Sequence, residues 1–284
     1  MKKMEPGGPG VTPDTPLGDD GGDVSYPYFV ANGRVPADPR VVDYKPGRRI
    51  RLRIINAGGD TAFRVGLPGI PMTVTHTDGF PVVPRQVDSV LLGMGERADA
   101  VIAINDTSVP LVAAPYGKPG HARVDLRVDN APVRTDAAGF AAALQRQVPL
   151  NTATLVPVPP VVLQTRSPDR VLDVRLSGPA NGYHWLINGK AYDPMDSGLP
   201  VTSGQRVRLR FVNESMMFHP MHLHGHTFEV QGTDGPRARK DTVLVPPRQT
   251  VEVDFQADNP GKWITHCHNE YHLETGMATY VDYG

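Results

Sequence analysis

Apolar and polar residues alternate along this chain in short runs. Residues 49–55 (RIRLRII), 98–104 (ADAVIAI), 206–212 (RVRLRFV) and 251–255 (VEVDF) carry an apolar side chain at nearly every second position. Residues 89–94 (SVLLGM) and 241–246 (DTVLVP) are close to continuously apolar. Period two marks a strand with one buried face, because successive side chains point to opposite sides. The 29 prolines and 29 glycines cut the chain between these runs into turns. The pattern is all-β. One stretch departs from it: residues 136–146 (DAAGFAAALQR) have helical composition and predict a short surface helix in the connection between two domains.

The two halves repeat each other. FVANGR at 29–34 parallels WLINGK at 185–190, and GRRIRLRIINA at 47–57 parallels GQRVRLRFVNE at 204–214. THTDG at 75–79 parallels QGTDG at 231–235, and DSVLLGM at 88–94 parallels DTVLVPP at 241–247. Two copies of one β-unit predict two similar sandwiches in tandem. A length of 284 residues agrees with two domains.

Charge is nearly balanced, with 29 basic and 30 acidic residues. No basic stripe or nucleic-acid motif stands out, which argues against a nucleic-acid partner. No apolar run approaches the roughly 20 residues of a membrane span. The first 24 residues are rich in Gly, Pro and Asp, and cannot order themselves by burying their own apolar surface. They read as a linker-like tail, and their two lysines are not followed by the apolar stretch of a secretory signal.

The chemistry lies in two segments, HPMHLHGH at 219–226 and HCHNEYHLETGM at 266–277, which hold seven of the ten histidines. Cys267 is the single cysteine, so no internal disulfide is available. Flanked by His266 and His268, it reads as a ligand; His272 follows five residues on and Met277 ten. One thiolate, two imidazoles and a thioether suit copper, since a His₂Cys set with a weak axial Met is a blue-copper geometry. Zinc also takes Cys and His, but the Met at this spacing disfavours it. On a strand, Cys267 points to one face and His266 and His268 to the other. His222 and His224 likewise share a face.

These two segments resemble the C-terminal copper signature of the multicopper oxidases, the laccase family. The resemblance implies a type 1 copper held by His219, Cys267, His272 and Met277, the methionine giving a lower potential than a non-ligating Leu or Phe. It implies that His222 faces a type 2 copper and that His224, His266 and His268 face a type 3 pair. Cys267, His266 and His268 would then form the electron path between the centres. The family supplies four further histidines from an N-terminal domain, as His-Trp-His-Gly and a His-x-His pair, and neither stands elsewhere in this chain.

The repeat sets the ligand positions against residues of the first half. Counted from the shared TDG, His219, His222 and His224 fall opposite Phe63, Gly66 and Pro68. Counted from the shared Asp-Ser/Thr-Val-Leu, His266, Cys267 and His268 fall opposite Ala113, Ala114 and Pro115. The expected organisation is a flexible tail at 1–24, a copper-free cupredoxin-like domain at 25–130, a connection with a short helix at 131–160, and a copper-binding cupredoxin domain at 161–284. Both domains would be Greek-key sandwiches, matching the family's middle and last domains.

Bland readings suit the other candidates. His226 is expected as a hydrogen-bonded or core residue, and His76, His121 and His184 as structural or surface residues. Met216, Met217 and Met221 read as gap-filling core side chains, with a soft patch for cuprous ions as the alternative. Glu270 and Glu274 suit proton delivery or a surface role. Asp241 reads as a cap at a strand start.

The resemblance implies an oxidoreductase that takes single electrons from phenols, aromatic amines or metal ions and reduces dioxygen at the completed cluster. Completion would need a second copy of the chain or a separate N-terminal cupredoxin domain. The alternative is a type 1 copper electron carrier without oxidase activity. By the same resemblance the location is secreted or periplasmic.

Overall fold

In the strand Arg48–Ile55, Ile50 and Leu52 are buried while Arg49, Arg51 and Arg53 face solvent. Its counterpart Arg206–Asn213 buries Val207, Leu209 and Phe211. This computed structural model describes residues 11–104 and 106–284. The alternation read from the sequence is thus realised as two four-to-six-stranded sheet pairs, each packed face to face.

The first pair joins a four-stranded sheet, in the order Arg48–Ile55, Arg97–Ile104, Met72–Thr77, Phe80–Val87, to a six-stranded one. The latter runs Arg40–Tyr44, Ala122–Val128, Val109–Pro115, Phe63–Gly66, Ser89–Leu92, Leu150–Asn151. The second pair joins the sheet containing Arg206–Asn213 to a five-stranded sheet. Its order is Leu199–Pro200, Ala278–Asp282, Lys262–Cys267, His219–Leu223, Thr242–Val245. The sandwiches bury separate cores, one around Ile50, Val74 and Ile102, the other around Leu209, Phe228 and Phe255. Both are cupredoxin-like.

Matching details confirm the repeat. Asn32-Gly33 and Asn188-Gly189 all have positive φ and close the bridges Ala31–Arg34 and Ile187–Lys190. Such a turn needs left-handed backbone at both central residues, which Asn-Gly supplies. Phe63 pairs with Leu92 as His219 does with Val245, and Gly66 with Ser89 as His222 does with Thr242. The next strand corrects the sequence columns by one residue. Val65 pairs with Ala113, whereas its counterpart Met221 pairs with Cys267. Cys267 therefore matches Ala113, not Ala114, and its flanking histidines match Val112 and Ala114. The second domain carries one extra residue in the turn before this strand, which counting from the shared motif could not detect.

The domains meet through apolar and ionic contacts. Ala62, Leu91, Met94 and Tyr116 of the first pack with Phe218 and Leu244 of the second. Lys240 is fully buried between them; its Nζ lies 3.0 Å from Asp78 and 3.1 Å from Glu96, and donates to Thr77. Such a buried cation is tolerable only because both carboxylates and the Thr77 and Thr152 hydroxyls satisfy it.

Residues 11–24 do not behave as a free tail. Leu17 is fully buried in the interdomain cluster, and the Tyr116 hydroxyl donates to Gly18 O at 2.7 Å. The segment orders by borrowing apolar surface from both domains, which composition alone does not reveal. Residues 1–10 lie outside the described part.

The helix expected near 136–146 forms over Ala137–Leu144. Asp136 caps it, accepting from Ala138 N and Gly139 N. Its C-terminal carbonyls receive the buried Arg64 guanidinium, at 3.0 Å from Leu144 O and 2.6 Å from Gln145 O. Among the described residues no helix is long and apolar enough to cross a membrane.

Candidate metal centre

Two clusters of donor atoms sit on opposite faces of one strand, Lys262–Cys267. Cys267 pairs with Met221 and His266 with His222 on the neighbouring strand His219–Leu223. Strand alternation sends the thiol into the second core and the imidazole away from it.

On the inner face, Cys267 Sγ lies 3.5 Å from His272 Nδ1 and 3.7 Å from His219 Nδ1, and the two Nδ1 atoms are 3.1 Å apart. All three residues are fully buried. His219 opens the strand His219–Leu223, and the loop before it is fixed by Asn213, whose side chain donates to Met217 O, Val245 O and Pro246 O. His272 lies on the short helix Glu270–Glu274, capped by Asn269. Met277 is fully buried; its N–H donates to His272 O and its carbonyl accepts from Cys267 N. The backbone thus ties Met277 to both of these residues.

On the outer face, the ligand atoms of His222, His224 and His266 all lie within 4.8 Å of one another, with His224 Nε2 3.1 Å from His266 Nε2. The His268 ring centre is 5.8 Å from that of His266 and 5.9 Å from that of His222. His224 is exposed, and an open cavity of about 360 Å³ runs along His222, His224 and Asp241.

Neighbouring polar groups choose which nitrogen each imidazole presents. Inside, His219 Nε2 meets Ser215 Oγ at 2.8 Å and His272 Nε2 meets Asp23 Oδ2 at 2.9 Å, leaving both Nδ1 atoms toward the sulfur. Outside, His222 Nδ1 donates to Asp241 O at 2.7 Å and His266 Nδ1 to Cys267 O at 2.8 Å, leaving each Nε2 for the outer cluster. Fixing one ring nitrogen orients the other as a ligand. The two clusters therefore use opposite nitrogens.

Burial disfavours charge on these rings. It holds His219 well below its ordinary value, assisted by the nearby His272, and lowers His222 and His224. Burial takes His266 down to about 4. Neutral imidazoles are the form that binds metal. Burial also pushes the Cys267 thiol up, so a cation must supply the driving force for its deprotonation. A buried thiol between two aimed nitrogens is a soft site that fits copper.

Residues 164–284 match a family model described as multicopper oxidase, and residues 12–118 match a second model of the same description. The chain belongs to the multicopper oxidases. Copper is the cofactor of that family. The chain is similar to multicopper oxidase MmcO of Mycobacterium tuberculosis, with 44% identity over 98% of this chain and 55% of the relative. It is also similar to a laccase of Cryphonectria parasitica, at 29% identity over 84% of this chain and 50% of the relative. The structure of Fet3p, a multicopper oxidase that functions in iron import, superposes with a TM-score of 0.74 at 20% identity, covering 88% of this chain and 58% of that one. That likeness shows the fold. The chain spans about half the length of the curated relatives it matches.

Spacing in the sequence does not single out Ser215, Asp23 or Trp185. Trp185 is fully buried with its ring centre 4.0 Å from that of His272. Ser215 is a loop hydroxyl four residues before His219, whereas Asp23 lies far off in the opening segment, where no spacing links it to His272. Asp241 does more than cap a strand: it pairs with Arg97 of the first domain. His226 is a packed, hydrogen-bonded residue stacked on Tyr283, whose hydroxyl lies 2.6 Å from its Nε2. Met217 and Met221 are core residues, while Met216 is exposed. Glu270 and Glu274 are exposed.

Proposed function

We propose that this chain carries the electron-accepting site and four histidines of the dioxygen-reducing site of a laccase-like multicopper oxidase. The observation that carries this reading is the back-to-back placement of Cys267 and His266. His219, Cys267, His272 and Met277 would hold type 1 copper; His222, His224, His266 and His268 would hold their share of a three-copper cluster. Copper, when bound, supplies one-electron redox chemistry.

The chain's own residues do the rest. The Trp185 ring and the surrounding core exclude water from the inner site. Ser215 and Asp23 orient its imidazoles. The Cys267 backbone joins the thiol to His266 and His268 by a few covalent bonds. The outer face opens to solvent, where dioxygen and further ligands have access.

Four histidines fall short of a full cluster, so another cupredoxin-like segment or a second copy supplies the remainder. The donor class is small one-electron reductants: phenols, aromatic amines or metal ions.

The test combines copper counting, light scattering and oxygen uptake with a phenol and with ferrous ion. More than about two coppers per chain with oxygen uptake supports the assembled oxidase. A single copper per chain, with a visible thiolate band and no uptake in any assembly, makes the chain an electron carrier instead.

A further inference from the structure

Arg97, on the first domain, is joined to the supports of two candidate ligands. Its Nη1 donates to Asp241 Oδ1 at 2.6 Å and its Nη2 to Asp241 Oδ2 at 2.7 Å. Asp241 in turn offers its backbone carbonyl to His222 Nδ1. The same Nη1 donates to Gly95 O at 3.0 Å. Gly95 has φ +82°, and a Cβ placed there would lie 2.3 Å from His268 Cδ2 and 2.7 Å from its Nε2. The Gly95 backbone therefore lies too close to the His268 ring to leave room for a side chain, an approach that glycine permits.

Asp78 locks the arrangement from behind. Its Oδ1 accepts from Arg97 N at 2.9 Å, and its Oδ2 accepts from Thr242 N at 3.3 Å and faces Lys240 Nζ at 3.0 Å. A bidentate guanidinium–carboxylate pair fixes direction as well as distance. Arg97 is one-third exposed, so the pair's value lies in geometry rather than in net stability.

We propose that Arg97 is a positioning residue for the outer metal face: through Asp241 it sets His222, and through Gly95 it sets the wall behind His268. The domain that has no ligands of its own would then govern metal binding by its neighbour. This rests on the outer face being a metal site, as proposed above.

The experiment adds Cu(II) to the full chain, metal-free at the start, for the wild type, Arg97→Met, Arg97→Lys and Gly95→Ala. Copper per chain is read by equilibrium dialysis, the inner site by its visible thiolate band, and the outer face by electron paramagnetic resonance. Loss of such a supporting partner weakens metal affinity by about 10- to 100-fold. That loss is expected at the outer face of Arg97→Met and Gly95→Ala with the visible band retained, and Arg97→Lys should recover part of it. Equal outer affinity and an unchanged resonance signal in Arg97→Met overturn the proposal.

Two controls keep outcomes separate. A wild type that shows the band but binds no outer copper refutes the metal-site reading itself. The positioning claim is then decided on metal-free protein by long-range ¹H–¹⁵N spectra: His222 held as the Nδ1–H tautomer in the wild type and mixed in Arg97→Met supports it, and identical spectra overturn it. If Arg97→Met also loses the band, Arg97→Lys is judged by the same two readouts.

Discussion

Asp23 accepts a hydrogen bond of 2.9 Å from Nε2 of His272, a residue 249 positions further along the chain. The carboxylate also receives the Tyr183 hydroxyl at 2.6 Å. Burial works to raise its pKa, but these two hydrogen bonds, together with the electrostatic pull of His272 and Lys118, hold the carboxyl below its ordinary value. The opening segment therefore brings a negative charge to the edge of the inner candidate metal site.

Asp23→Asn should keep the inner site assembled while removing that charge. Less negative charge beside the site favours the reduced state, by about 1 kcal/mol, or on the order of 40 mV for a one-electron couple. Redox titration of the visible band checks this. An unchanged potential would mean that the charge is screened by solvent.

Cys267→Ser should abolish the intense visible band of the copper-loaded chain. The remaining groups of the inner site lack a soft thiolate, while the outer imidazoles are untouched. Absorption spectra with metal analysis distinguish the two faces: the band disappears and outer copper persists. Retention of the band in the serine variant would refute the ligand assignment.

Leu17→Ala should destabilise the chain by about 2–5 kcal/mol, the range for a large-to-small change at a fully buried position. Because Leu17 contacts residues of both domains, the variant should also expose the opening segment to protease. Chemical denaturation and limited proteolysis report the two effects. A wild-type denaturation midpoint would show that the segment does not dock in solution.

The metal-free chain should lose stability as pH falls from about 6.5 to about 4. His219, His222, His224 and His266 all have folded pKa values below the ordinary histidine value. Above the unfolded value both states are neutral and nothing is lost. Below it the unfolded chain binds protons that the folded chain resists, so unfolding is favoured until the folded values are also passed. For His266, moved from 6.5 to about 4, the loss is on the order of 3 kcal/mol. Thermal melts across this window, with and without copper, test it; copper should flatten the slope by holding the rings neutral. A metal-free melting temperature constant from pH 7 to about 4 would contradict the burial argument.

The sequence by itself determined the strand alternation, the repeat and which side chains are the candidate metal ligands. These are local properties. Period two follows from the pleat, and His266 and Cys267 must point to opposite faces wherever that strand is placed. The spacing from Cys267 to His272 and Met277 is likewise settled within one strand, one turn and a short helix. Tertiary structure alone decided which nitrogen each imidazole presents, because Ser215, Asp23 and Asp241 reach the rings through loop and domain packing. It also decided the one-residue shift that matches Cys267 to Ala113, since register is set by pairing with Met221 and Val65. The docking of Leu17 and the pairing of Arg97 with Asp241 depend on two domains meeting. Hydrogen bonds and buried contacts between distant residues leave no periodic trace in a chain, because their partners are chosen by the fold and not by separation in sequence.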